Sequence, residues 1–294
     1  MLGAEGQVGF ELVRALAPLG DVVAAAREAG DVRVDLADAG SLASALEASR
    51  ADVAVNAAAY TAVDRAEDEP EIADRINHRA VAEIGAWAKR SGRRVVHYST
   101  DYVFDGASKR PYREDDATAP LGAYGHSKLA GEEALRASGA RHLIVRTAWV
   151  YASRGRNFLR TMLRLAPERD ELRIVSDQTG APTPARLIAE ATATMLRQWA
   201  GDGESAGRDG TYHVVSGGQC SWFDFAGAIV AGAAERGLIE RRPRVVPIAT
   251  ADYPTRARRP AYSVLDTGKA RAAFGLQLPD WRAGLESVLD ELAT

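Results

Sequence analysis

The twelve residues MLGAEGQVGFEL, Met1 to Leu12, place glycines at positions 3, 6 and 9, where an amphipathic run begins. Glycines three apart at a helix entrance make a turn whose backbone can approach a phosphate, because no side chain intervenes. A helix starting near Val8 would aim its unpaired N–H groups and the positive end of its dipole at that anion. Taken alone, the spacing is weak in a chain with 27 glycines, and an ordinary turn with a helix-packing glycine explains it as well. Such a turn also follows a strand, yet only Met1 and Leu2 precede it here. The first strand is therefore expected to be largely missing, with its neighbours partly unpaired, the turn poorly anchored and the start of the natural protein further upstream.

Downstream, short apolar runs at 21–26, 32–34, 52–56, 94–99 and 142–147 alternate with helical patterns at 8–19, 41–49, 70–90 and 122–138. That alternation predicts an α/β fold: a Rossmann-like, doubly wound parallel sheet with helices on both faces. Past residue 150 the strict alternation loosens, although helices are expected at 157–166, 185–199, 221–236 and 280–292, and the polar stretch 201–210 reads as a loop. The expected organisation is a cofactor-binding unit over 1–150, rejoined by parts of 172–200. A smaller C-terminal substrate lobe, mainly 151–294, would close over the carboxyl ends of the strands.

The 294 residues are 46% hydrophobic and 26% charged with a net charge of -3, so no basic excess points to nucleic acid or to an anionic membrane. Cys220 is the single cysteine, which excludes an intrachain disulfide and a cysteine metal cluster and suits a reducing cytoplasm. The apolar stretch at 226–234 is about half a membrane span, and no signal peptide is visible. The histidines at 78, 97, 126, 142 and 213 have no metal-ligand spacing. The acidic run at 65–71 reads as a helix start at Pro70 with acids in the first turn.

Several segments can carry chemistry. Arg27 follows Ala26 at the end of the second strand, where a basic side chain suits the 2'-phosphate of NADPH; adjacent Glu28 keeps NADH open. The strand 52–56 ends at Asn56 and small residues follow, leaving room for a ring. HYSTDYVFDG, 97–106, sets Ser99, Thr100 and Asp101 at a strand end, and AYGHSKLAGE, 123–132, sets Tyr124 and Lys128 four apart on one helix face. A tyrosine near its free pKa of about 10 is a poor acid–base group at neutral pH, and an ammonium one turn away favours its phenolate. Lys128 can also bind a nicotinamide ribose, and the Thr100 hydroxyl a substrate carbonyl. A lone Tyr–Lys pair is more often an ordinary amphipathic surface; the preceding strand end, the glycine turn and the parallel strands reverse that judgement.

Together GQVGFEL, NAAAYTAVDRAEDEPE, HYSTDYVFDG, YGHSKLAGE, RTAWVY, NFLRTMLRL, SDQTGAPT and YPTRARRPAYSVLD resemble the extended short-chain dehydrogenase/reductase superfamily, and within it the reductases of 4-keto dTDP-sugars, from Leu2 to the C-terminus. The resemblance implies NADPH-dependent conversion of dTDP-4-dehydro-β-L-rhamnose into dTDP-L-rhamnose. It implies Tyr124 as proton donor, Lys128 as its ribose-binding partner and Thr100 as carbonyl-side helper. Gly3, Gly6, Gln7 and Val8 would meet the diphosphate, Asp35 and Leu36 would flank the adenine, and Ala59, Tyr60 and Thr61 would contact the cofactor further along. Asp101 and Trp149 would line the sugar. Arg256, Arg258 and Arg259 lie in a matched segment, and an arginine fork, Arg259 above all, suits a substrate diphosphate.

Some members of that family form a magnesium-bridged dimer through glutamates. Glu11 matches one, but Arg186 stands in the place of the other, which argues against the metal. The expected partner is a dTDP-sugar, with no nucleic acid and no membrane, on a monomer or homodimer. The competing functions are a non-catalytic, NADP-binding regulatory subunit of the same fold, and a reductase or epimerase of another nucleotide sugar.

Overall fold

A computed structural model describes residues 1–201 and 207–294. The first half runs α1 (Gln7–Leu16), β1 (Ala25–Ala26), β2 (Val32–Arg33), α2 (Ala39–Ala48), β3 (Val53–Asn56), α3 (Val63–Ala66), α4 (Pro70–Asp74), α5 (Ala80–Ser91), β4 (Arg94–Thr100), α6 (Ala123–Ala137) and β5 (Arg141–Thr147). Then follow β6 (Val150–Tyr151), α7 (Phe158–Leu165), β7 (Glu171–Val175), β8 (Thr179–Gly180), β9 (Thr183–Pro184) and α8 (Ala185–Ala200). The chain ends with β10 (Gly210–His213), β11 (Cys220–Ser221), α9 (Trp222–Glu235), β12 (Arg244–Ile248), α10 (Gly268–Phe274) and α11 (Trp281–Ala293).

The central sheet is parallel, in the order β10-β5-β4-β3, and Leu2 then bridges β3 to the β1-β2 pair. Neighbouring strand residues face opposite layers, as the pleat requires. Val96 and Val145 pack with Leu12 of α1 and Ile188, Met195 and Trp199 of α8. Val95 and Ile144 pack with Leu42 of α2, Ile84 and Trp87 of α5 and Leu135 of α6. Burial on both sides is what a doubly wound sheet demands. A separate core joins α7, α9 and α11 through Leu159, Phe225, Ile229, Trp281 and Leu285, beside the parallel pair β7-β12. A smaller cluster of Val103, Phe104, Tyr112, Ala148, Val215 and Leu265 shares Trp149 with that core.

The glycine turn is well anchored, contrary to expectation. Leu2 is 6% exposed and bonded on one side, its N–H to Val55 O at 2.8 Å and its O from Ala57 N at 3.0 Å, while Gly3 N donates to Ala25 O at 2.9 Å on the other. The strand expected at 21–26 shrinks to Ala25–Ala26, because its pairing with Met1 and Leu2 begins only at Val23.

Further differences concern the elements themselves. The helix expected over 70–90 is interrupted by a π-helical turn, Arg75–Arg79, where α6 crosses so closely that a Cβ on Gly131 would lie 2.1 Å from Asn77 O. Of the loop expected over 201–210, residues 202–206 lie outside the described residues, and Gly210 opens β10 at the sheet edge. Strands β7, β10 and β12 were not anticipated. They sit among helices in the region where strand–helix alternation is no longer regular.

Candidate active site

The carboxyl ends of β3, β4 and β5 and the glycine turn share one end of the sheet, and α6 brings its first turns to the same place. Two local devices fix α6. Ala123 N donates to Glu67 Oε1 at 2.9 Å, so a carboxylate sits at the positive end of the helix dipole. A Cβ on Gly125 would be 2.4 Å from Tyr102 O, so only glycine lets the helix approach this closely.

Tyr124 is half-buried, its ring edge-on to Tyr102 at 5.5 Å and its hydroxyl hydrogen-bonded with that of Thr100. Burial pushes its pKa up to about 12, against the pull of Thr100. Contrary to the expectation from the spacing, burial and then Thr100 and Asp101 set this shift, not Lys128, and Tyr124 is a neutral hydroxyl at pH 7, which is the form a proton donor needs. Lys128, 2% exposed, donates from Nζ to Tyr98 O at 2.6 Å and lies 3.4 Å from His97 Nε2. Burial lowers its pKa to about 8, and Glu132 one turn on acts in the opposite sense.

Thr100 Oγ1 donates to Asp101 Oδ1 at 3.0 Å and accepts from Tyr102 N at 3.1 Å. Asp101 is 1% exposed; burial pushes its carboxyl up to about 6, while the neighbouring Ser263 and Thr100 hydroxyls pull it back. Its Oδ2 has no well-formed hydrogen bond. Trp149 adopts φ of 47°, a left-handed conformation uncommon for a bulky residue and frequent at ligand sites. Its indole stacks on Trp222 at 3.5 Å and covers Gly180, where a Cβ would come within 2.4 Å of the ring.

On the cofactor side, Gly3 takes φ of 80°, and a Cβ on Gly9 would lie 1.9 Å from Gly3 O. A Cβ on Gly6 would meet only Gly3 O of the turn itself, at 3.3 Å, so nothing else covers the outer side of the turn at the N-terminus of α1. A bare backbone cradle on a helix N-terminus fits a diphosphate. Gln7 Oε1 accepts from Asn157 Nδ2 at 2.7 Å, tying the turn to the start of α7, and Val8 is half-buried. Asp35 Oδ1 accepts from Ala37 N at 2.9 Å, Leu36 is buried in the core, and Arg27 is exposed just past buried Ala26.

Ala59 to Thr61 follow β3. Asn77, 1% exposed, holds the backbone of Tyr60 through Tyr60 N to Oδ1 at 2.8 Å and Nδ2 to Tyr60 O at 3.0 Å, and also reaches Ser127 Oγ at 3.0 Å. The π-helical turn thus joins the strand-end loop to α6. Neither Asn77 nor Trp222 was anticipated, because each sits inside an ordinary helical pattern; His97 and Asn56 stood in the quoted segments without a role.

The basic loop is engaged from within. Arg259 forks onto Asp64 at 3.1 and 2.7 Å, Arg256 pairs with Asp68 at 2.5 Å, and Arg258 is exposed. Arg186 lies 3.6 Å from Glu11 and 3.0 Å from Glu291, so a guanidinium already stands between these carboxylates and a magnesium bridge does not fit. Among the described residues no cluster of three or more histidine, cysteine or acidic side chains could hold a metal, and no helix is long and apolar enough to cross a membrane.

The sequence matches the family model of the RmlD substrate binding domain over residues 1–294. A dTDP-4-dehydrorhamnose reductase of Shigella flexneri is 47% identical over 294 residues, spanning 100% of this chain and 97% of that protein. One from Burkholderia thailandensis is 51% identical over 290 residues, spanning 95% of this chain and 94% of its own. Among solved structures, a dTDP-4-dehydrorhamnose reductase from Bacillus anthracis in complex with NADP superposes with a TM-score of 0.87 at 33% identity, covering 99% of this chain and 97% of that one.

Proposed function

We propose that this chain, which belongs to the family of the RmlD substrate binding domain, is an NADPH-dependent dTDP-4-dehydrorhamnose reductase. It reduces the 4-keto group of dTDP-4-dehydro-β-L-rhamnose to the hydroxyl of dTDP-L-rhamnose. The observation that carries this reading is the meeting of Thr100, neutral Tyr124 and buried Lys128 at the strand ends, beside a glycine turn open to a diphosphate.

When bound, NADPH supplies the hydride. Tyr124 gives its hydroxyl proton to the carbonyl oxygen as charge gathers there. Thr100 orients that oxygen by turning its hydroxyl hydrogen bond from Asp101 to the sugar, keeping its own proton. The Lys128 ammonium favours the phenolate that Tyr124 becomes and holds the nicotinamide ribose. Gly3, Gly6, Gln7 and Val8 cradle the cofactor diphosphate, with Asp35, Leu36, Ala59, Tyr60 and Thr61 along its length and Arg27 at the adenosine 2'-phosphate. Trp149 and Asp101 line the sugar and Arg259 meets the substrate diphosphate. Residues 1–150, with parts of 172–200, form the cofactor unit and 151–294 mainly the substrate lobe. The protein works in the cytoplasm as a monomer or homodimer, where a single buried Cys220 is at ease.

The test is to mix the purified protein with NADPH and the 4-keto dTDP-sugar and follow loss of nicotinamide absorbance. NADPH binding without turnover on any 4-keto nucleotide sugar overturns the reading in favour of a non-catalytic binding subunit.

A further inference from the structure

We infer that Asn56 and His97 are positioning residues for Lys128: Asn56 fixes the His97 ring so that its Nε2–H faces the lysine, leaving two ammonium donors for groups outside the core. The inference rests on the proposed role of Lys128 beside Tyr124.

The three side chains are buried in a row, with Asn56 1%, His97 0% and Lys128 2% exposed, on β3, β4 and α6. Ala58 N donates to Asn56 Oδ1 at 3.2 Å, which settles the two ends of the amide, since the flipped form would set two donors against each other. Asn56 Nδ2 then lies 3.2 Å from His97 Nδ1. An amide NH₂ can only donate, so Nδ1 accepts, and the proton of a neutral ring sits on Nε2. The ring is neutral, because burial and then the nearby Lys128 charge hold its pKa well below the usual histidine range.

His97 Nε2 is 3.4 Å from Lys128 Nζ, long for a hydrogen bond and reasonable for two donors that face one another. Lys128 therefore has one inward acceptor, Tyr98 O at 2.6 Å. An ammonium has three donors. Two remain, one for the Tyr124 phenolate and one for a ribose hydroxyl. With the opposite tautomer Nε2 would accept a hydrogen bond from a second N–H of Lys128 and leave only one donor free.

The same contact bears on the charge of the lysine, because a neutral amine could accept the Nε2–H that an ammonium opposes. The other titratable groups around this row are Glu132 on α6, shared by Arg136 and Arg146, His142 on β5 and Tyr124 on the first turn of α6.

A long-range ¹H–¹⁵N spectrum of the wild-type protein, with His97 assigned by its absence in His97→Gln, reads the tautomer directly. We expect a protonated Nε2 and a bare Nδ1; a proton on Nδ1, or an imidazolium, overturns the inference. Asn56→Asp presents acceptors only, so it should reverse the tautomer and let Nε2 accept from Lys128, which then keeps its charge to higher pH. The alkaline fall in kcat should move up by about one pH unit, with a higher KM for NADPH. A reversed tautomer with an unmoved alkaline limb leaves His97 merely structural and also overturns the inference. Because the spectrum needs no turnover, its outcome is separate from failure of the reductase reading, which would show as no NADPH oxidation in any variant.

Discussion

Asp101 and Tyr124 are two acids that burial pushes the same way, to about 6 and about 12. For Tyr124 the shift keeps the hydroxyl protonated at pH 7, and if it is the proton donor proposed, Tyr124→Phe should lower kcat by roughly 10²-fold or more, in line with loss of a general acid. Near-normal turnover in steady-state kinetics would remove Tyr124 from that role. For Asp101 the shift is a stability cost. The unfolded chain releases this proton near 3.8 and the folded chain near 6, so the fold bears no penalty below about pH 4 and the whole of it above about pH 6. Two pKa units are about 3 kcal/mol at most. Asp101→Asn should therefore raise the Tm by a few degrees at pH 7.5 and by little at pH 4.5, while impairing turnover. Equal shifts at the two pH values in thermal melts would show that burial of the carboxylate is not the cause.

At the scale of elements, packing between helices decides where the site residues stand. The crossing of α6 with the π-helical turn has no room for a methyl group at Gly131, where a Cβ would meet backbone Asn77 O at 2.1 Å. At Gly85 the nearest atoms, from 2.9 Å, belong to the side chains of Ser138 and Leu135 rather than to backbone. Alanine gains about 1 kcal/mol in helix propensity at either position. Gly131→Ala should nonetheless cost about 2 kcal/mol or more by urea denaturation and raise the KM for NADPH, because Asn77 holds both Tyr60 and Ser127, whereas Gly85→Ala, which meets side chains only, should cost clearly less and leave that KM unchanged. Similar losses in the two variants would mean that the crossing is not tight. This crossing also marks how far sequence alone reaches. The periodic runs declare α6, α8 and the strands β3 to β5 within a residue and α1 within three, and the Tyr–Lys spacing, read together with the strand end and the glycine turn, points to the chemistry proposed. The π-helical turn, the Asn77 bridge and the stacking of Trp149 on Trp222 depend on which helix lies against which, and no local pattern records that. Strand β10 was missed for a related reason: it completes the sheet from beyond a glycine-rich stretch, with no strand–helix rhythm around it.

Over the whole molecule, two of the connections that cross from the later segments to the first half lie beside the candidate site. At one, Asn157 at the start of α7 reaches Gln7 in the glycine turn at 2.7 Å, and the Arg154 guanidinium lies 3.4 Å from the centre of the Phe10 ring. At the other, the basic loop meets the first turns after β3, through Arg259 with Asp64 and Arg256 with Asp68. The second carries more consequence, because Arg259 is partly buried beside Tyr102, close to Tyr124. A planar fork already satisfied by one carboxylate is preorganised for a second anion at little cost in side-chain entropy. If Arg259 meets the substrate diphosphate, Arg259→Ala should raise the KM for the dTDP-sugar at least tenfold and leave the KM for NADPH nearly unchanged. Asp64→Asn, which frees the fork without removing it, should raise the sugar KM by only a few-fold. The pair itself is half exposed, so a double-mutant cycle on stability should return no more than about 1 kcal/mol of coupling. A large coupling in stability with no change in the sugar KM would make this contact a structural staple, and would leave the substrate diphosphate to be held elsewhere in the cleft.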